Sequence, residues 1–405
     1  MTEDYTVRYL RLIQICKALP HANLYFNILY LGTELQGGSS SMSVPTLRLL
    51  QLRNCGHGFT DQVAVTVSAK HAAGLEMLEL TGCYRLNEPA LCSLLLQCHE
   101  NLKSLDLSCN SRLGVNSLST VAAMGQLISL RLDHATPLTN EMISSLAAVG
   151  SDLKCLEDLS LAGLIDLTDD GFAPIITKFG PQLKSLCVRG CIQLTDDSII
   201  LMREVCSNLD ALDIGGLGQL TTAALLGLFI EGPVLRGGVI VEIPLPILFD
   251  TSLDRDMDRS SEDSPSMADH FEHNPVSSTS SSSAPIDSSS IGRLTKINLA
   301  GLPSSVTDDV IIQLCQLSRK LRAVDIGGCS SLTGRSIAAL QLHCPDIESL
   351  DLSFVRTFGE DSLGSLVDRS PHLRRLLVWG CTQLSKRFFD GHSNDYLVIE
   401  GRMAA

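Results

Sequence analysis

The apolar positions of this chain recur in one phrase, L-x-x-L-x-L-x-x-C/N, and a second pattern follows each copy. Clear copies begin at Leu47, Leu75, Leu102, Leu127, Leu156, Leu183 and Leu209, then at Leu294, Leu321, Ile347 and Leu373. Successive starts lie 28, 27, 25, 29, 27 and 26 residues apart before a gap, and 27, 26 and 26 after it. Apolar and polar residues alternate inside the phrase, which predicts a short strand. The motifs LTDDGF from Leu167, LTDDSI from Leu194, LTTAAL from Leu220 and VTDDVI from Val306 then predict a helix start. Thr168, Thr195 and Thr307 stand where a hydroxyl caps free amides, and the aspartates after them face the positive end of the helix dipole. The stretches behind them, such as 198–205 and 336–342, place apolar residues at helical spacing.

One unit of strand, turn, helix and turn cannot bury its own apolar edge, so neighbours must stack. The strands then form a parallel sheet, with helices on the opposite face and leucines at the first, fourth and sixth positions between them. A period of this size falls in the leucine-rich-repeat range. The expected fold class is α/β, a leucine-rich-repeat solenoid curved as a horseshoe, with about 11 to 12 units. Residues 1–45 fit the phrase poorly and read as an N-terminal cap or degenerate repeat, with a helix at 7–19 and a strand at 24–31. Residues 46–249 read as repeats, a degenerate copy near Leu235 continuing the rhythm. Residues 293–405 hold further repeats and a C-terminal cap, closed by a strand at 396–400.

Composition changes abruptly in the gap. Between residues 250 and 290, 14 of 41 residues are serine, and nine acidic residues face two arginines. Residues 250–292 are therefore expected to form a disordered acidic insertion. Ser260 and Ser261 precede acidic residues and Ser264 precedes proline, so all three are candidate phosphorylation sites. The formal charge of the whole chain is −14. Such acidity opposes a direct nucleic-acid role and points to a basic or neutral protein partner. Aromatic residues make up only 4% of the chain, which suits thin aliphatic layers better than one large core.

The 14 cysteines enter the same scheme. Cys55, Cys83, Cys191, Cys329 and Cys381 occupy the ninth position, and Cys98, Cys206 and Cys344 lie just before a strand. These positions suit small buried side chains, and the acidic start of the chain lacks a secretory leader, so reduced intracellular thiols are expected. No apolar stretch reaches the roughly 18 residues of a membrane span.

Chemistry finds little foothold. The 10 histidines are scattered, none in an H-E-x-x-H arrangement. His270 and His273 fall in the serine-rich insertion. Cys187 and Cys191 are expected on a strand's outer face and in a turn, unsuited to a shared zinc. Gly215, Gly216 and Gly218 lack the lysine of a phosphate loop. The sequence thus predicts no enzyme, no cofactor and no metal.

The remaining surface is the concave face, built from the third, fifth and seventh positions of each phrase. The fifth position carries Arg131, Asp325, Asp351 and Leu377, the seventh Asp133, Arg189 and Trp379, and the third Arg375. Arg375, Leu377 and the sole tryptophan, Trp379, form the expected anchor cluster, because tryptophan and arginine dominate interface energetics.

The phrase LKSLCVRGCIQLTDDSIILMREVCSNL, residues 183–209, resembles the cysteine-containing repeats of F-box leucine-rich-repeat proteins. The ending LLVWGCTQLSKRFFDGHSNDYLVIEG, residues 376–401, is similar to the leucine-rich-repeat subunit of the yeast nucleotide-excision-repair complex and its relatives. That resemblance implies a nuclear or cytoplasmic, non-catalytic subunit, monomeric within a larger complex, whose partners are cullin-ligase components or a repair ATPase. An F-box needs about fifty residues ahead of the repeats. Leu19, Pro20 and the apolar 24–31 leave little room for it, so it is expected to be absent or lost. Two other classes use such a scaffold: GTPase-activating leucine-rich-repeat proteins, and stand-alone scaffolds or inhibitors.

Overall fold

Alternate leucines in each phrase can be buried together only if the backbone extends, and every phrase does so. The computed structural model describes residues 48–53, 59–62, 64–65, 67, 72–136, 138–148, 152–229, 293–390 and 394–401. Before the gap the strands are β1 (Leu49–Arg53), β2 (Met77–Thr81), β3 (Ser104–Asp106), β4 (Ser129–Arg131), β5 (Asp158–Ser160), β6 (Ser185–Cys187) and β7 (Ala211–Asp213). After it come β8 (Lys296–Asn298), β9 (Ala323–Asp325), β10 (Ser349–Asp351), β11 (Arg375–Leu377) and β12 (Val398–Glu400). They form one sheet in chain order, each pair parallel, from β1 at one edge to β12 at the other. The fold is a leucine-rich-repeat solenoid, as the phrase predicts.

Contacts separate residues 233–288 from the remainder of the chain as a second unit, and that unit lies outside the described residues. So do the elements expected in 1–45, the copy near Leu235, and Ser260, Ser261 and Ser264. Across the gap β7 pairs directly with β8, Leu212 beside Ile297. The last strand of the sheet, β12, comes from the closing segment.

Helices run back along the other side, among them α1 (Glu88–Cys98), α2 (Val115–Ala122), α3 (Asn140–Ser145), α4 (Asp169–Phe179) and α5 (Asp196–Val205). They continue with α6 (Thr222–Leu228), α7 (Asp308–Leu317), α8 (Gly334–His343), α9 (Glu360–Arg369) and α10 (Lys386–Asp390). Between sheet and helices the first- and sixth-position residues, from Leu75 to Val378, are at most 2% exposed. Removing such apolar area from water is the main stabilising term, and neighbouring units share it.

The helix starts correct one expectation. Thr168 and Thr307 hold extended N-cap conformations but make no side-chain capping bond to their own helix, whereas Thr195 accepts from the Asp197 amide. The acidic residue that opens α4, α5, α7 and α9 works across the unit boundary instead. Asp169 accepts from the Thr195 amide at 3.0 Å, from its hydroxyl at 2.6 Å and from the Ser198 hydroxyl. Asp196 does the same for Thr221, Asp308 for Thr333 and Ser336, and Glu360 for Ser385. Each carboxylate thus fastens the helix start of the next unit, a contact between residues about one period apart that local capping rules do not foresee.

The ninth-position side chain closes the other turn. The thiols of Cys191, Cys329 and Cys381 donate to the carbonyls of Leu161, Leu299 and Leu352 at 3.0, 3.3 and 3.2 Å. Asn110, the ninth residue of its phrase, donates to Leu80 in the same way at 2.6 Å. Cysteine and asparagine are interchangeable here because each presents a small donor to a buried carbonyl of the preceding unit. Burial pushes the Cys191 thiol up to about 12 and the Cys329 thiol up to about 11, which keeps both protonated and unreactive.

Candidate functional site

The side of the sheet away from the helices presents the alternate residues of every strand. Strand register aligns the fifth positions in one row: Gln51, Glu79, Asp106, Arg131, Ser160, Cys187, then Asp213, Asn298, Asp325, Asp351 and Leu377. Glu400 of β12 extends it beyond the phrase. The row predicted by alternation is the row observed.

Its carboxylates turn out to hold backbone. Asp106, Asp213, Asp325 and Asp351 accept the amides of Ser108, Gly215, Gly327 and Ser353 at 2.9, 3.1, 3.0 and 2.8 Å, and Asn298 accepts that of Ala300 at 2.8 Å. Each reaches two residues ahead to the donor left over where the strand ends. Burial raises the carboxyls of Asp106, Asp213 and Asp325 above the ordinary range, with the hydrogen bonds opposing it. A raised folded value means that the charged form is disfavoured by folding, so this cost is relieved as pH falls through that value. Asp325→Asn keeps an acceptor for Gly327 and removes the buried charge. Its unfolding midpoint at neutral pH is expected to lie within roughly 0.5 kcal/mol of the parent chain, on the stable side, as measured by urea denaturation.

Arginines bridge the row. Arg131 lies 4.0 Å from Asp106 and 3.4 Å from Asp133, while Asp133 also accepts the Ala162 amide at 2.9 Å. Arg189 reaches over the two intervening strands to Asp325 at 3.9 Å. A hollow of about 420 Å³ on this face has a lining that includes Arg131, Asp213, Lys296, Asp325, Asp351 and Leu377.

The C-terminal cluster is assembled as predicted. Arg375 pairs with Glu400 at 2.9 Å, Leu377 is half-buried, and Trp379 keeps 42% of its surface exposed. Its amide donates to the Ser353 hydroxyl at 3.3 Å, and its carbonyl accepts the Phe354 amide at 2.6 Å. β12 extends the sheet alongside β11 without covering the indole.

Phe354, which sequence reasoning did not single out, stands next to it and is 62% exposed. The eighth residue of every described phrase has positive φ, because the chain must turn sharply there while its amide still donates to the next unit. Glycine serves at most of these places, but Phe354 has φ 63°. A Cβ added to Gly380 would lie 2.4 Å from the Phe354 ring, so the ring rests on that glycine. The visible signal was a phenylalanine in a column of glycines. Left-handed backbone costs a bulky residue about 1 to 2 kcal/mol. Phe354→Gly is therefore expected to stabilise the chain by about 1 kcal/mol, readable as a higher melting temperature. A fall would mean that ring contacts outweigh the strain.

Cys187 lies on the open face and Cys191 in the turn, as expected; burial raises the Cys187 thiol. Among the described residues no group of three or more histidine, cysteine, aspartate or glutamate side chains is placed to hold a metal. No described helix is long and apolar enough to cross a membrane.

No family model matches the sequence. The chain is 24% identical over 341 residues to DNA repair protein rhp7 of Schizosaccharomyces pombe, a match covering 83% of this chain and 49% of the relative. It thus spans about half the length of the curated relative it matches. In structure it is similar to a chain of the crystallised yeast Rad7 and Elc1 complex, with a TM-score of 0.57 and 18% identity over 88% of this chain and 81% of the other. A weaker likeness, TM-score 0.42 and 13% identity, covers 75% of this chain and 81% of the leucine-rich-repeat protein LegL7 of Legionella pneumophila. By its phrase and its twelve-stranded parallel sheet the chain is a leucine-rich-repeat solenoid, and its sequence is similar to that of DNA repair protein rhp7.

Proposed function

We propose that the chain is a non-catalytic protein-recognition subunit of a ubiquitin-ligase assembly of the nucleotide-excision-repair kind. The observation that carries this reading is the exposed Trp379 beside Leu377 and Arg375 on the open face of the sheet. A rigid sheet presenting a large aromatic ring next to an aliphatic and a cationic side chain has the composition of a binding hot spot. Similarity to rhp7 supports the repair setting, and the Rad7 and Elc1 complex supports partnership within an assembly. In this reading the partner is a cullin-ligase component or a repair ATPase. Asp351, Asp325, Asp133, Arg131 and Arg189 border its footprint, and the chain acts as a monomer within the complex, in nucleus or cytoplasm. Affinity purification of the tagged full chain from cells, followed by quantitative mass spectrometry, is expected to recover such components above an untagged control. Recovery of none of them would sink the ligase assignment, and one stoichiometric target in their place would mark a stand-alone inhibitor.

A further inference from the structure

The edge where the chain enters each strand carries a charge ladder. At the second position of the phrase Glu76 pairs with Arg48 at 3.5 Å and with Lys103 at 2.8 Å, Glu157 pairs with Lys184 at 2.8 Å, and Glu348 pairs with Arg322 at 3.0 Å. In the units of β8 and β9 further cations stand one or two residues before the phrase, apart from the second-position Arg322 that Glu348 neutralises. Register sets Lys296 beside Ala323, so Arg293 and Lys320, each the residue before a buried leucine, occupy equivalent places on paired strands. Arg319 precedes Lys320 in the same turn. Arg293, Arg319 and Lys320 are all exposed, and no carboxylate among the described residues forms an ion pair with any of them. Three cations with no ion pair among the described residues thus share one edge of two adjacent units in a chain whose formal charge is −14.

We infer that this edge is a second interaction surface, separate from the Trp379 cluster, and that it takes a short acidic segment of a protein partner. Opposed charges at an exposed edge give a partner its orientation and a fast, salt-sensitive encounter. The patch is two units wide, and register places Asp210 in the unit on one side and Asp346 in the unit on the other. A short anionic peptide fits between those units, whereas an extended polyanion such as a nucleic acid would run onto like charge.

The test uses the full chain and fluorescence anisotropy at low ionic strength, with a labelled octaglutamate peptide and a labelled oligodeoxythymidine of eight nucleotides as probes. The triple variant R293Q, R319Q and K320Q is expected to bind octaglutamate about tenfold more weakly than the parent chain. A charge-matched control, R112Q, K386Q and R387Q, alters exposed cations elsewhere and is expected to bind as the parent does. All six positions are exposed, and melting curves verify that both variants remain folded. Equal losses in the two variants, or no measurable octaglutamate binding by the parent, would overturn the proposal. Tighter binding of the oligonucleotide than of the peptide would overturn it as well, reassigning the edge to nucleic acid.

Discussion

Trp379→Ala is expected to lower partner recovery by roughly thirtyfold, because truncating a hot-spot aromatic costs on the order of 2 kcal/mol or more. The same substitution is expected to leave folding almost untouched. With 42% of its surface in solvent, the indole contributes less to the core than Leu376 or Val378, which precede it in sequence and are fully buried. Its backbone contacts to Ser353 and Phe354 involve only amide and carbonyl and survive in alanine. The measurement is partner recovered per tagged chain, set against a melting curve of each purified protein. Unchanged recovery with an intact fold would remove Trp379 as an anchor. Leu377→Ala, on the same face, should give a smaller loss in the same direction. Phe354→Gly separates the two aromatics: it is expected to raise stability, so any fall in recovery would belong to recognition alone.

The second large effect concerns the fold. Asp308 opens α7 and is 8% exposed, and its carboxylate receives the Thr333 amide, the Thr333 hydroxyl and the Ser336 hydroxyl from the next unit. Asp308→Ala leaves these three donors without their acceptor and is expected to cost about 3 kcal/mol, given the strength of hydrogen bonds to charged groups. Burial alone would raise the Asp308 carboxyl; the Ser336 and Thr333 hydrogen bonds outweigh it and hold the carboxyl below its ordinary range. A depressed folded value means stability that is fully present above the unfolded carboxyl value and is lost as pH drops through the folded one. The gap in unfolding free energy between parent and variant should therefore be constant near neutrality and shrink below about pH 4. Urea denaturation at several pH values measures it, and a gap that widened in acid would contradict the assignment. Asp325 runs the other way, since its raised carboxyl makes acid relieve a cost.

The repeat, the strand positions and the open-face row were legible in the sequence because each depends on side-chain alternation within a few residues. Leu105, Leu107 and Asp106 declare their faces by spacing alone. The Arg375, Leu377 and Trp379 cluster was legible for the same reason: alternate residues of a strand and of the extended chain just beyond it share a side. The role of the row's aspartates was not, since it depends on where a strand ends and which amide is left over. Thr168 and Thr307 stand at the N-cap as expected, but neither makes the expected side-chain bond to its own helix; the Thr168 hydroxyl accepts instead from Asn140, which opens the preceding helix about one period away in sequence.

By itself, then, the sequence determined the fold class, the period, the buried leucines and the thiols of the ninth position, because these follow from local periodicity and from the need of each unit to cover its apolar edge. Only the tertiary structure decided that β7 pairs with β8 across the gap, that Asp308 secures its neighbour's helix, and that Phe354 strains its backbone beside an uncovered Trp379. Those outcomes depend on distances between residues far apart in the chain, fixed once the units stack.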